Sequence, residues 1–170
     1  MHAHRTPEGL KEHALLDRAV LNLMLDSERQ RPWAEDEIAR ALKVPGDVRE
    51  SLRRLRACKL IQRWNDLAVA AHAAVRYCEI TEGGAENPND ADERHHEKAV
   101  LEGLLVRAAD GEGPRTEEQI FDAHGARKRK QRLAITDALD RLDAAGLIER
   151  RAGRSIASEV ALRLDELMTV

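Results

Sequence analysis

The chain of 170 residues is poor in aromatics, with two Trp, one Tyr and one Phe. So few rings leave little to line a small-molecule pocket. The apolar share is carried by Leu, Ala, Val and Ile, which with Arg, Lys and Glu form a helix-favouring palette. Long apolar runs are missing as well. No stretch approaches the roughly 18 residues of a membrane span, and MHAHRTPEGLKEH at the start lacks the apolar segment of a secretory leader. A cytoplasmic chain, with no membrane partner, is the expectation. Cys58 and Cys78 are the two cysteines and have no CxxC spacing. In a reducing compartment Cys58 reads as a small apolar residue at a helix end. The seven His are scattered, with His95-His96 as the one adjacent pair, so no metal site is expected. A Gly-rich phosphate loop, a nucleophile elbow and HExxH are all missing, which reads against an enzyme and against a cofactor.

What is present is charge, unevenly placed. The formal net charge is -3. Residues 1–81 carry 14 Lys+Arg against 12 Asp+Glu, residues 82–93 carry five acids and no base, and residues 94–170 balance at 14 and 14. The acidity thus belongs to the middle stretch EGGAENPNDADE, which reads as an extended, self-repelling linker. Neither flanking part is strongly basic, so binding to DNA should be modest and easily weakened by salt.

The stretch Ile38–Arg63 organises the rest. A helix begins after Arg31-Pro32-Trp33, with Glu35-Asp36-Glu37 in its first turn, where the helix dipole favours acids. Trp33 is either a staple against Ile38 or a small core plug. Pro45-Gly46 marks a turn, and Asp47 with Glu50 has capping-box spacing for a second helix. Val48, Leu52 and Leu55 face inward, while Arg49, Arg53 and Arg56 share another face. Leu60–Trp64 and Leu67–Val69 read as a two-stranded hairpin across Asn65-Asp66, and AAHAAVRY as a closing helix. A helix over Leu10–Asp26 precedes this set.

The pattern then recurs. Ala99-Val100-Leu101 repeats Ala19-Val20-Leu21 letter for letter, and Thr116 with Gln119 forms a second capping box. Ile135, Leu139, Leu142, Leu147, Ile148 and Arg150 lie a constant 87 positions after Val48, Leu52, Leu55, Leu60, Ile61 and Arg63. That is an internal repeat. It predicts a mainly α protein of two units, 10–81 and 94–170, joined by the linker 82–93.

Helix, helix, turn, helix and hairpin resemble the winged helix-turn-helix domain. The segments EDEIARAL…VRESLRRLRACKLIQR and TEEQIFDAHG…AITDALDRLDAAGLIER are similar to its common bacterial form, broadly that of MarR-type regulators and of small actinobacterial winged-helix proteins. The first unit departs from it in having Lys59 where the second has Gly146, and in a short hairpin. The resemblance implies two such domains in tandem and a DNA-binding transcriptional regulator, with the second helix of each motif entering the major groove. Carried onto this chain, the contacts to duplex DNA would be Arg49, Arg53, Arg54 and Arg56 in the first unit. In the second they would be Arg127, Lys128, Arg129, Lys130 and Arg132, with Arg150, Arg151 and Arg154 of its wing. The plainer reading of the first set is a solvated face held by Glu50–Arg54 pairing.

Asp137, Asp140 and Asp143 lie on the second unit's corresponding helix and would repel phosphates. Arg53 and Arg56 align with Asp140 and Asp143, so the two faces carry opposite charge. This supports a rival reading, a docking module like the tandem winged helices of the bacterial condensin accessory subunit and the ESCRT-II subunits. Regulators of the resembled kind commonly dimerise through terminal helices, here the helix from Leu10 and VALRLDELM.

Overall fold

The computed structural model describes residues 7–26, 31–43, 47–82 and 88–169. Over these residues the protein is mainly helical, with two antiparallel sheets of three strands each. The order α1 (Pro7–Leu25), β1 (Trp33–Ala34), α2 (Glu35–Leu42), α3 (Val48–Ala57), β2 (Ile61–Trp64), β3 (Leu67–Ala70) and α4 (His72–Glu82) is followed by its own repeat. The second set is α5 (Pro88–Ala109), β4 (Arg115–Thr116), α6 (Glu117–Ala123), α7 (Arg129–Ala144), β5 (Ile148–Arg151), β6 (Arg154–Ala157) and α8 (Glu159–Thr169). Sheet order is β1-β3-β2 in one and β4-β6-β5 in the other.

Two compact units result. The first runs up to Ala74 and takes in the chain from Arg163 onward; the second is Val75–Leu162. This differs from the sequence boundaries, which gave each closing helix whole to the hairpin before it. The acidic stretch also ends sooner than its composition suggests. Pro88 opens α5 and Asp90 sits in its first turn, positions where a missing N–H and a negative charge both suit a helix start. Residues 88–93 are therefore helical, and 83–87 lie outside the described residues, as does Pro45-Gly46.

The inward residues read from the repeat are buried in both units: Val48, Leu52 and Leu55 on α3, and Ile135, Leu139 and Leu142 on α7. Trp33 is a core plug, 4% exposed. Its strand, like β4, leaves no signal in the sequence, because two residues cannot display a period of two. Thr116 and Gln119 make both bonds of their capping box, at 3.3 and 3.0 Å. Asp47 makes no such side-chain bond, and Glu50 accepts from Arg53 at 3.2 Å instead.

Each unit turns from its long helix into its hairpin by the same two bonds. Lys59 and Leu60 donate to Arg56 and Leu55, as Gly146 and Leu147 donate to Asp143 and Leu142, all at 2.9 Å. This is the six-to-one closure that needs a left-handed residue. Gly146 takes it at φ +75°, while Lys59 is forced to φ +59°.

Each unit also holds a buried acid bonded to arginine. Asp17 of α1 is 3% exposed and accepts from Arg54 of α3 at 2.9 and 2.6 Å. Glu97 of α5, fully buried, accepts from Arg141 of α7 and from Arg76 of α4, the latter at 2.8 and 2.7 Å. Asp17 and Glu97 each stand three residues before the matching Val20 and Val100. A carboxylate so placed is tolerable only when charged donors satisfy it.

These contacts set two expectations for stability. Glu97→Ala should lower the unfolding free energy in a urea titration by about 3 kcal/mol, because two guanidinium groups are left without their buried partner. Lys59→Gly should raise it by about 1 kcal/mol by relieving the left-handed backbone. A drop below about 1 kcal/mol for the first would show that the pair is not structural.

Candidate nucleic-acid interface

Sorting the cations by what holds them separates the sequence-predicted contacts into two classes. Arg54 belongs to the core: its fork is spent on Asp17, and that hydrogen bond raises the guanidinium above its ordinary value. The Glu50–Arg54 pairing expected from spacing is replaced by Glu50–Arg53. Arg132 also works inside the fold. It donates to the Ala126 carbonyl at 3.2 Å, pairs with Glu118 at 3.0 Å and lies over the Phe121 ring at 5.2 Å. Arg150 is clamped between Glu117 and Asp140, tying β5 to α6 and α7. These three fasten elements together.

The remaining cations face solvent. On α3, Arg49 pairs with Glu35 at 3.0 Å and Arg53 with Glu50 at 3.2 Å, and both arginine side chains are about two-thirds exposed. Arg56 is exposed and has no ion-pair partner among the described residues. Exposed pairs of this kind are worth about 0–1 kcal/mol, so a phosphate oxygen can replace the carboxylate at little cost.

Arg127, Lys128, Arg129 and Lys130 form the denser group. All four are exposed, and among the described residues none has an ion pair. The run does not merely lead into α7, since Lys128 is its N-cap and Arg129 and Lys130 lie in its first turn. Cations there oppose the positive end of the helix dipole, each by about 0.3–1 kcal/mol. Helices α2 and α6 follow the favourable rule, opening on Glu35-Asp36-Glu37 and Glu117-Glu118. An anion at the start of α7 would meet backbone N–H groups, the dipole and four side chains of one sign.

The second hairpin repeats this preference. Arg151 lies directly opposite Arg154 in the β5–β6 register, an arrangement of like charges that disfavours the strand pair unless an anion joins it. Arg151 is paired with Glu149 at 3.1 Å yet remains 86% exposed, and Arg154 is exposed.

The chain matches no family model, no curated protein and no solved structure.

Two features of this region were not read from the sequence. One is the clamp on Arg150, which occupies Asp140 and so weakens the case for an Asp140 face awaiting Arg53. The other is a cavity of about 180 Å³ behind the start of α7, lined by His95, His96, Val100, His124, Gln131 and Ile135. His95 and His96 lie on α5 and His124 at the end of α6, so only tertiary packing brings His124 to the other two. Among the described residues no cluster of His, Cys, Asp or Glu suits a metal ion. His96 shares its Nδ1 with the Asp92 carbonyl at 2.7 Å. Burial, then Arg115 and His96, hold His124 below the ordinary imidazole range.

That depressed value sets a pH dependence. The unfolded chain binds a proton at His124 near 6.5, and the folded chain only at lower pH, so stability is lost as pH falls through about 6.5. Melting temperature should drop between pH 7 and about 5, and His124→Asn should flatten the drop. An identical slope in the variant would assign the acid sensitivity elsewhere.

Proposed function

We propose that the chain is a cytoplasmic, DNA-binding transcriptional regulator built from two winged helix-turn-helix domains in tandem. The repeated element order and the two small hairpin-containing sheets support that reading of the fold. In it, α3 and α7 are the helices presented to DNA, and β2–β3 and β5–β6 are the wings. The observation that carries the functional reading is the group Arg127–Lys130: four consecutive exposed cations, none ion-paired to a described residue, placed where the helix itself would repel them.

The mechanism divides the work. Arg127–Lys130, with Arg151 and Arg154, bind phosphates and hold the second unit on the duplex. Asp137, Asp140 and Asp143 along α7 keep the body of that helix from lying deep in the groove. In the first unit Arg49, Arg53 and Arg56 present planar forks that suit guanine edges as well as phosphates, and they trade their surface carboxylates for DNA. Arg54, Arg132 and Arg150 take no part in contact.

Fluorescence anisotropy with a random-sequence duplex tests this. At 50 mM salt the wild-type chain should bind, and the affinity should fall by about 10³-fold by 200 mM if some six phosphates are contacted. Replacing Arg127, Lys128, Arg129 and Lys130 together by Gln should cut the logarithmic salt slope by about 0.9 for each phosphate left without its cation. Arg53→Ala should alter sequence preference more than the slope. No binding at 50 mM salt would overturn the reading.

A further inference from the structure

The cavity behind the start of α7 lies wholly within the second unit, and none of the cations assigned to DNA lines it. Its polar wall is three imidazoles and one amide: His95 and His96 of α5, His124 at the end of α6 and Gln131 of α7. The rest is alanine, Val100 and Ile135, and no carboxylate among the described residues lines it. The acids on the neighbouring elements are spent or exposed. Glu93 and Glu97 of α5 are bound to Arg141 and Arg76, and Glu118 of α6 to Arg132. Asp92 and Asp122 lie exposed outside the wall. The nearby charges are otherwise positive: Arg115 of β4 acts on His124, and Arg129 and Lys130 stand in the first turn of α7.

What the wall offers is donors. Gln131 uses its Oε1 to accept from the Lys128 N–H at 3.1 Å, and its Nε2 has no partner among the described residues. His96 reaches the Asp92 carbonyl through Nδ1 at 2.7 Å. A carbonyl only accepts, so Nδ1 carries the hydrogen, and Nε2 gains one only when the ring is protonated. The His124 ring has no hydrogen bond among the described residues. Burial, then Arg115 and His96, disfavour its charged form, and an anion alongside would restore it. The His95 and His96 rings lie 6.1 Å apart at 79°, and no cluster here suits a metal ion. A guest that meets several of these groups is therefore polyatomic. The volume of about 180 Å³ admits one, being far above the roughly 10–15 Å³ that a single water needs.

We infer that this cavity binds a small oxyanion together with a proton, held by the imidazoles of His95, His96 and His124 and by the amide of Gln131. The oxyanion is a free one or a phosphate of the duplex, since both present the same acceptor oxygens. A free anion needs no DNA, so this site stands even if the chain binds none. Protonation turns His96 Nε2 from acceptor to donor and gives the guest its countercharge. Each proton taken up with the anion tightens binding by up to about tenfold per pH unit as pH falls toward 6.

Imidazole proton resonances of the full chain, followed by NMR across pH with and without sulfate at constant ionic strength, test this. Sulfate is the probe because it keeps its charge over that range. In about 20 mM sulfate the titration midpoints of His96 and His124 should rise by about one pH unit, while His72 of the first unit should not move. His96→Gln should remove roughly half or more of the rise at His124. Repeating the titration with a random-sequence duplex separates the sources. A rise with duplex to which sulfate adds nothing identifies a backbone phosphate, and a rise with sulfate alone identifies a free oxyanion. Midpoints unmoved by both overturn the inference. So does an equal rise at His72, which is a general salt effect, or a full rise at His124 in His96→Gln.

Discussion

A carboxylate buried on the first helix of each unit sets the geometry of everything built on it. Asp17 and Glu97 cannot remain charged in an apolar interior without donors. A donor comes from the third helix, from Arg54 or Arg141, joined at Glu97 by Arg76 of α4. Arg54 grips Asp17 through Nε and one terminal nitrogen, which fixes rotation as well as distance, so α3 has one allowed roll about its axis; Arg141 reaches Glu97 through Nε alone, while Arg76 of α4 holds both carboxylate oxygens. Once Arg54 points inward, Arg49, Arg53 and Arg56 are turned to solvent by the 3.6-residue period. Once Arg141 points inward, Asp137, Asp140 and Asp143 are turned outward in the same way. The exposed chemistry of each unit is thus decided by one buried acid.

From that common base the copies diverge. In the second unit Asp140, next along the chain from Arg141, reaches Arg150 of the hairpin, and Glu117 at the start of α6 completes the clamp. Core, long helix, short helix and hairpin are joined through consecutive charges. In the first unit Arg53 stands in place of Asp140, and the series stops at α3. Among the described residues the hairpin there has no such ionic fastening, and its outer side is apolar instead. The two hairpins thus differ at matching positions, Arg151 and Arg154 in one standing where Trp64 and Leu67 stand in the other.

Much of this is legible in the sequence. Helix order, the hairpins and the buried rows Val48-Leu52-Leu55 and Ile135-Leu139-Leu142 follow from periodicity and from the 87-residue offset. The Thr116–Gln119 cap is readable from spacing, but the same spacing at Asp47–Glu50 misleads, because Arg53 competes for Glu50. The pairing of Glu50 with Arg54 misleads for a related reason: a helical-spacing rule does not see Asp17, which is 37 residues away. The acids themselves leave a signal, each three residues before a Val of the repeat, visible only when one asks why an acid recurs on an apolar face. The two-residue strands and the His124 cavity leave none, since both exist only through tertiary packing.

The exposure of each arginine already separates the two classes, with Arg54, Arg132 and Arg150 less exposed than Arg49, Arg53 and Arg151; what holds the first class explains why. Arg49 and Arg53 are tethered as visibly as Arg150, but Glu50 is surface-exposed and Glu35 close to it, and water or a phosphate competes with such pairs at a cost of about 1 kcal/mol or less. Arg150 answers to two carboxylates at once, and Arg54 to one that is almost wholly buried. Withdrawing Arg54 would strand a charge in the core, at about 3–5 kcal/mol, which is more than a charge-assisted hydrogen bond to a phosphate returns, at about 1.5–3 kcal/mol. Only cations whose release strands nothing can serve an anion that comes and goes, which leaves Arg49, Arg53, Arg56, Arg127–Lys130, Arg151 and Arg154 for the proposed interface; Arg132, whose Glu118 is exposed, is held back by the Ala126 carbonyl and the Phe121 ring rather than by its acid.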